Sequence, residues 1–242
     1  DSSLIVSLMQ RQSDLPIETF SIGFNEKNYN EAEYARRVAQ HLGVKNSNIY
    51  VGWQDVVEVI PKLPNMYSEP FADSSQVPTF LVSRLAKQDV TVSLSGDAGD
   101  ELFCGYNRYQ ITNKFWNIIK IFPVSLRSIA ANFLLSISPD NWDKSTSFIP
   151  AFKAFNKVGD KLHKGAGVLT SASISDIYMR LVSNFDEIES IVINDEIFSP
   201  PTFDEKITSN NFDNVQKMML YDLVSYLPND ILTKVEIGRA HV

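Results

Sequence analysis

The segment over residues 92–109 carries the side chains best suited to chemistry. It reads VSLSGDAGDELFCGYNRY and passes from a β-branched run through small residues to three carboxylates, Asp97, Asp100 and Glu101. In a parallel α/β fold, such a strand end exposes backbone N–H groups where ligands bind. Carboxylates this close are costly unless a cation joins them, and Mg²⁺ held together with phosphate oxygens is the usual solution. The same spacing also fits a solvated acidic helix N-terminus, which the helix dipole favours.

Asp1-Ser2-Ser3 forms a second candidate segment. These side chains can cap the helix that the apolar run after them predicts, since many helices start in this way. The segment also precedes the first helix of the α/β half, where an anion would meet free N–H groups and hydroxyl donors. A helix cap and an anion site are therefore both open.

A polar loop at residues 69–76 (EPFADSSQ) is the third candidate. It places two carboxylates and two hydroxyls before a predicted helix, which suits recognition of an amino-acid substrate. Asp73 and Ser74 are the substrate-binding candidates. The alternative is an ordinary capped loop in which one of these two residues caps the helix.

Two periodicities predict the elements that position these segments. Helices are expected from residue 2 or 3, and over 31–42, 53–60 and 78–87, and strands over 18–24, 48–51 and 90–94. Gly43 and Pro61 are predicted to end the second and third helices. Helices interleaved with short strands indicate an α/β fold with a parallel sheet flanked by helices. We place this α/β part at residues 1–110.

The chain beyond this part, residues 111–236, is predicted to be mainly α-helical. The clearest helical spacing is that of Val215, Met218, Met219, Leu223 and Tyr226. A turn at residues 227–230 is expected to close that helix. The apolar stretch at 115–137 contains Lys120, Pro123 and Arg127, so buried helices explain it better than a membrane anchor.

Composition excludes several classes of protein. The 242 residues include 22 basic and 29 acidic side chains, a net charge of −7, so nucleic acid is not an expected partner. The single cysteine, Cys104, excludes an internal disulfide, and no 18-residue stretch is free of charge and proline. We expect a cytoplasmic protein with no membrane partner. The three histidines are isolated, which gives little support to a zinc site.

Three segments together resemble the synthetase domain of glutamine-hydrolysing asparagine synthetases. They are residues 95–109 (SGDAGDELFCGYNRY), 69–86 (EPFADSSQVPTFLVSRLA) and 219–235 (MLYDLVSYLPNDILTKV). The resemblance implies an adenine nucleotide α-hydrolase-like, Rossmann-like parallel sheet followed by helices. It implies ATP-dependent amidation of aspartate to asparagine through β-aspartyl-AMP, with ATP and Mg²⁺ as cofactors. Aspartate and ammonia derived from glutamine are the implied partners.

The resemblance also implies roles for the residues of the phosphate site. Members of the family carry a loop of the form Ser-Gly-Gly-x-Asp-Ser-Ser, and Asp1-Ser2-Ser3 resembles its last three residues. Asp1 and Asp100 would then hold Mg²⁺ on the pyrophosphate. Ser2 and Ser3 would contact the phosphates.

Other positions match family residues beyond the phosphates. Ser95 and Gly96 match backbone contacts to the nucleotide, and Ile22 matches a residue that packs on adenine, although Ile22 taken alone is better explained as a plain core strand residue. Asp97 and Tyr106 match catalytic positions beside the reacting carboxylate and the intermediate.

Cys104 stands where the family usually shows glycine. If the position needs a positive φ or a close ligand approach, the side chain is costly, whereas in a helix it is harmless.

The two ends of the chain suggest a fragment. The Ser-Gly-Gly half of the loop, the strand before it and an N-terminal glutaminase domain are expected to be missing. Residues 237–242 (IGRAHV) match one reading frame of a common sequencing adapter, so we expect a non-native tail. The fragment alone is predicted to be inactive, and a homodimer is compatible with the full-length protein. A related amide-forming or β-lactam-forming synthetase and a degenerate non-enzymatic homologue are the alternative functions.

Overall fold

The computed structural model describes residues 1–24, 30–67, 73–148, 157–183 and 212–237. They belong to two units, the first formed by Asp1–Gly105 with Asp222–Val242 and the second by Tyr106–Tyr221. The division predicted at residue 110 stays a prediction. The predicted tail falls almost entirely outside the described residues.

A parallel pair of strands forms the sheet of the first unit. β1 (Glu18–Phe24) and β2 (Lys45–Val51) pair in register, with Ile22 opposite Ile49. The bounds of β1 agree with the prediction, but β2 begins three residues before the apolar run. The reason is a polar cross-strand contact: the Asn46 side chain donates to the hydroxyls of Thr19 and Ser21, at 2.9 and 3.2 Å. The mixed α/β fold with a parallel sheet is confirmed.

Five α-helices accompany these strands in the described part of the first unit: α1 (Ser2–Arg11), α2 (Ala32–Leu42), α3 (Trp53–Val59), α4 (Gln76–Ala86) and α5 (Gly99–Phe103). Gly43 ends α2 with φ 69°, as predicted. Pro61 does not end the helical chain after α3, because a 3₁₀ segment, Ile60–Asn65, carries it onward. Proline is tolerated there since it lies in the first turn.

The core of the first unit lies between the sheet and two helices. Val51 of β2, Val59 of α3, and Val77 and Leu81 of α4 are buried together. Ile22 of β1 is partly buried and packs against this cluster. Burial of these apolar side chains fixes α4 against the sheet and so fixes the loop that precedes α4.

The expected third strand at residues 90–94 is wrong. Among the described residues this run pairs with no strand, and the side chains of Val92 and Leu94 are 69% and 67% exposed. A β-branched run becomes a strand only where a neighbouring strand takes its backbone hydrogen bonds. The sequence pattern therefore indicated strand-forming residues but could not show whether a neighbouring strand was present.

Helices make up the described part of the second unit. They are α6 (Asn107–Ile119), α7 (Val124–Ser136), α8 (Pro139–Thr146), α9 (Val158–Leu169) and α10 (Ile174–Val182), followed by α11 (Asn214–Val224), which runs to the end of the unit and three residues beyond. The predicted turn at 227–230 is instead a π-helical turn, Leu227–Ile231, because Leu227 and Ile231 are both buried and keep the chain coiled. A second π-helical turn follows at Thr233–Ile237.

The apolar stretch at 115–137 forms helices, as expected, but most of its apolar side chains are exposed. Ile119 and Ala131 are buried, and so is Arg127, which donates to the carbonyls of Phe122, Leu169 and Ser171 at 2.8–3.1 Å. The guanidinium thus satisfies carbonyls at the C-terminal end of α9. No single helix in the described ranges is long and apolar enough to cross a membrane. Gly99–Ile119 and Val124–Ser136 pass that test only as a pair, bent by 116°.

Two left-handed residues bracket the short helix α5. Ala98 before it has φ 72°, and Cys104 after it has φ 61°. A side chain at positive φ costs roughly 1–2 kcal/mol, which glycine avoids. Of the two possibilities for Cys104, the structure shows the costly one.

We predict that Cys104→Gly stabilises the protein against urea by about 0.5–1 kcal/mol, the relief of strain being partly offset by the greater freedom of glycine when unfolded. Cys104→Ala is the control, since it removes the thiol but keeps the side chain at positive φ. Equal stability of the two variants would contradict this explanation.

Candidate functional site

The first residues of the chain lie directly against the loop that precedes α5. A Cβ atom placed on Gly96 would lie 2.6 Å from the Ser2 nitrogen and 2.9 Å from the Asp1 Cβ. One placed on Gly99 would overlap the Asp1 carboxylate. The two segments that the sequence singled out are therefore in contact, and the contact requires glycine at both positions.

Asp1 occupies the capping position of α1 without capping it through its side chain. Its carbonyl accepts from the N–H groups of Leu4 and Ile5, at 2.9 and 3.1 Å, and so starts the helix. The carboxylate is turned instead to Gly99. Of the two possibilities for Asp1-Ser2-Ser3, the structure thus shows no side-chain cap at Asp1, and the anion site stays a prediction. Ser2 and Ser3 lie exposed in the first helical turn, where backbone N–H groups have no intrahelical partner.

A tight turn carries the second segment. The Gly99 N–H donates to the Gly96 carbonyl at 3.2 Å, and the Ser95 hydroxyl donates to the Asp97 carboxylate at 2.5 Å. Ala98 at positive φ turns the chain into α5. This geometry sets Asp97 on the turn and Asp100 at the start of the helix.

Asp100 is held by the residues after α5. The Gly105 N–H donates to its carbonyl at 3.0 Å, and a Cβ on Gly105 would overlap its carboxylate. Asp100 thus follows Gly99 directly in the sequence, and its carboxylate packs against Gly105. The neighbouring Glu101 is buried, so it is not a ligand facing solvent.

The donor set fits a magnesium ion that is shared with phosphates. In the described ranges no three His, Cys, Asp or Glu side chains are grouped to hold a metal. Mg²⁺ in nucleotide sites commonly takes one or two carboxylates and completes its shell with phosphate oxygens and water. Asp1, at Gly99, and Asp100, the next residue, can supply those two carboxylates. The missing side chains of Gly96 and Gly99 make room for Asp1 and Ser2, so these glycines hold the two segments together.

Ile22 and Tyr106 belong to other surroundings. Ile22 packs against the core cluster, which fits a plain strand residue, and its adenine contact stays a prediction. Tyr106 lies in the second unit, where its ring meets Tyr109 edge-on at 5.6 Å and the Arg108 guanidinium lies 4.0 Å over it. Its catalytic role also stays a prediction.

Asp73 belongs to a cluster around Lys234 that the sequence did not reveal. The Lys234 ammonium donates to the Asp73 carboxylate, to the Ser75 hydroxyl at 2.6 Å and to Asp230 at 2.9 Å. Its side chain is only 8% exposed. The spacing of Asp230 and Lys234 on one helical face was the available signal, but the partner on the loop is distant in sequence.

Asp73 also closes the turn before α4. Its carboxylate accepts from the Ser75 N–H at 2.9 Å and from the Ser75 hydroxyl. Neither Asp73 nor Ser74 caps α4, whose capping position is Ser75 without a side-chain cap, but these bonds leave Asp73 occupied by protein groups. Ser74, the other substrate candidate, is exposed on the same turn.

The cluster shifts the pKa values of its acidic and basic members. Burial raises the pKa of Asp73, but the hydrogen bonds from Lys234 and Ser75 outweigh burial and lower the pKa to about 2. Burial raises the pKa of Asp230 and the hydrogen bond from Lys234 lowers it, and the net result lies above the usual value. Burial lowers the pKa of Lys234, whereas its bonds to Asp73 and Asp230 raise it, and the net result lies above the usual value.

Comparison with known protein families shows which class of protein this chain belongs to. The family model described as Asparagine synthase matches residues 1–242. The chain belongs to the asparagine synthase family.

Curated relatives agree with this family. The chain is 36% identical over 110 residues to Asparagine synthetase (glutamine-hydrolyzing) 1 of Bacillus subtilis, covering 46% of this chain and 17% of the relative. It is 44% identical over 107 residues to the "Putative asparagine synthetase (glutamine-hydrolyzing) 2" of Methanocaldococcus jannaschii, covering 44% and 21%. It is 27% identical over 236 residues to the "Putative asparagine synthetase (glutamine-hydrolyzing)" of Mycobacterium bovis, covering 98% and 34%. The chain thus spans about a third or less of these relatives. No solved structure matches it.

We predict that Gly96→Ala destabilises the protein by about 1–3 kcal/mol in urea denaturation, because the new methyl group meets backbone atoms of Asp1 and Ser2. Gly165→Ala in α9 is the matched control. A Cβ there meets nothing within 4 Å, so the change should stabilise by about 0.5–1 kcal/mol. The same loss in both variants would show that the contact with Asp1 is not the cause.

We also predict a pH-dependent cost for Lys234→Met. At pH 7 the variant should lose roughly 3 kcal/mol, because two partly buried carboxylates lose their cation. A carboxyl whose pKa is lowered stabilises the fold above its unfolded value near 3.9 and ceases to do so as the pH falls through its folded value. The cost should therefore shrink between pH 4 and about pH 2, the folded pKa of Asp73.

Lys62→Met supplies the control for this titration, since Lys62 pairs with Glu58 on the surface and should cost less than about 1 kcal/mol. Urea denaturation across the pH range measures both variants. A cost of Lys234→Met that does not change with pH would be inconsistent with the ion pair as its source.

Proposed function

We propose that this chain is the synthetase part of a longer protein that amidates aspartate to asparagine at the expense of ATP. The contact of Asp1 and Ser2 with Gly96 and Gly99 carries the proposal, because it sets the N-terminus of α1 and the Asp1 carboxylate against the loop that bears Asp97 and Asp100. Family membership supports asparagine synthesis as the reaction. ATP, Mg²⁺ and aspartate are the ligands that we assign to it.

The reaction must first activate a poor acyl donor. A carboxylate would have to expel oxide, so in the first step the β-carboxylate oxygen of aspartate bonds to the α-phosphorus of ATP, and the bond to pyrophosphate breaks. This forms β-aspartyl-AMP. Ammonia then bonds to the acyl carbon, AMP leaves with the electron pair of the carbon–oxygen bond, and the nitrogen loses a proton. Asparagine and AMP result.

The residues of the chain serve the first step by binding charge. Ser2 and Ser3, with the N–H groups of the first turn of α1, donate to phosphate oxygens. Asp1 and Asp100 would hold Mg²⁺, which supplies neutralisation of the charge that develops on the leaving pyrophosphate. The backbone groups of Ser95 and Gly96 are assigned to the nucleotide by their resemblance to family positions.

Asp97 and Tyr106 are assigned to the reacting carboxyl by their resemblance to family positions. Asp97 is already oriented by the Ser95 hydroxyl, which limits its rotation on the turn. Ser74, exposed on the turn before α4, is assigned to the aspartate substrate.

Ammonia is assigned to a glutaminase domain elsewhere in the longer protein. The names of the relatives specify glutamine hydrolysis, and the chain covers 17–34% of their length. For the same reason we propose that the isolated 242-residue chain does not catalyse the reaction.

Aspartate-dependent exchange of pyrophosphate into ATP tests this function in the full-length protein. We predict that the full-length protein catalyses the exchange and that Asp100→Asn lowers its rate by about 100-fold, the usual cost of removing one group that stabilises developing charge. Asp140→Asn is the matched control, because Asp140 is also an acid in the first turn of a helix, α8, and should leave the rate unchanged.

Exchange without added aspartate, or equal rates for the two variants, would refute the assignment. Product analysis with ammonia distinguishes asparagine from a β-lactam or another amide. Exchange by the isolated chain would disprove its proposed inactivity.

A further inference from the structure

Lys234 is the centre of a second polar cluster in the first unit. Its ammonium has three N–H donors, and the structure gives each an acceptor: Asp73, Ser75 and Asp230. Side-chain exposures of 8%, 17% and 24% for Lys234, Asp73 and Asp230 show that water reaches the cluster only in part. An ammonium so removed from water is retained only where every donor is satisfied.

The cluster around Lys234 fixes the turn at residues 73–75 and not just one side chain. Lys234 contacts Asp73 and Ser75, the residues on either side of Ser74. Those two residues are also bonded to each other through the Ser75 N–H and hydroxyl. Ser74 therefore lies exposed at the tip of a turn whose flanks are both held by one cation.

The anchor of this cation is independent of the turn. Asp230 lies four residues before Lys234 in the π-helical segment and orients the ammonium at 2.9 Å. Leu227 and Ile231, beside Asp230, are buried and keep this segment in place. The lysine is thus positioned by the C-terminal helical segment and acts on the loop before α4.

Tyr67 is partly buried and lies within electrostatic range of the same charges. Its pKa is raised by burial, and the phenol also senses the charges of Lys234 and Asp73. The predicted substrate loop spans residues 69–76. Tyr67 and Asp73 are the described residues that precede and follow residues 68–72.

We propose that Lys234 is a positioning residue that sets the Ser74 turn for the amino-acid substrate. It does not touch the reacting atoms. The proposal rests on the proposed function, in which this turn binds aspartate. Its specific consequence is that loss of the ammonium weakens the use of aspartate and leaves the use of ATP unchanged.

Lys234→Ala in the full-length protein tests the proposal. We expect the KM for aspartate to rise by about 10-fold or more, as for a lost charged hydrogen bond, and the KM for ATP to change by less than about twofold. Propylammonium, which has N–H donors and fits the space of the removed side chain, should restore most of the aspartate KM. Tetramethylammonium, which has the charge but no donor, should not.

Lys62→Ala is the matched control, because it breaks an exposed lysine–glutamate pair and should change neither KM. A merely structural role for Lys234 would lower kcat in proportion to the folded fraction, with both KM values unchanged and no rescue. That result would overturn the proposal. If Lys234→Ala does not fold, Lys234→Arg supplies the comparison, with a smaller rise confined to aspartate.

Amide exchange separates this inference from the proposed function. In Lys234→Ala the N–H groups of residues 75–80 should exchange at least about 10-fold faster than in Lys62→Ala, whatever the substrate. Unchanged exchange would refute the positioning role. Faster exchange in a protein that shows no aspartate-dependent reaction would contradict the proposed function and the substrate part of this proposal. Only the conclusion that Lys234 holds the turn in place would then stand.

Discussion

The close approach of the chain's first two residues to Gly96 and Gly99 is the contact on which the candidate site depends. Backbone and carboxylate atoms of Asp1 occupy the space that a side chain would fill at either glycine. This contact brings the positive end of α1 to the carboxylates at the start of α5. Neither segment is a convincing site alone, since each has an ordinary structural explanation. Together they are the site that we propose for phosphate and a divalent cation.

A second constraint acts on the loop before α4. Buried Lys234 draws Asp73 and Ser75 to the C-terminal helical segment, so a turn that would otherwise be free is fixed by charge. The consequence is a division of labour within one unit. Gly96 and Gly99 admit the first residues of the chain, while an ion-pair cluster holds the turn that we assign to the amino acid. The first site depends on two glycines, Gly96 and Gly99. The turn before α4 depends on the Lys234 ammonium, each of whose N–H groups has an acceptor.

The sequence predicted the features that depend on local signals. The bounds of β1, the start of α1 and the end of α2 at Gly43 all follow from residue patterns within one element. It did not predict features that depend on distant partners. The run at 90–94 has strand-forming residues but pairs with no described strand. The sequence did not single out Lys234, because its partners Asp73 and Ser75 lie far away in the chain. Arg127 seemed to interrupt an apolar helix, although it is buried on carbonyls brought from α9.

Iron-mediated backbone cleavage tests the central claim most directly. Fe²⁺ replaces Mg²⁺ in the full-length protein with ATP, ascorbate generates radicals at the metal, and mass spectrometry locates the cuts. Our account predicts ATP-dependent cuts at both segments, near Asp1 and near Gly96 to Asp100, that excess Mg²⁺ suppresses. Cuts confined to one of these segments, or cuts elsewhere in the chain, would contradict a shared metal–phosphate site.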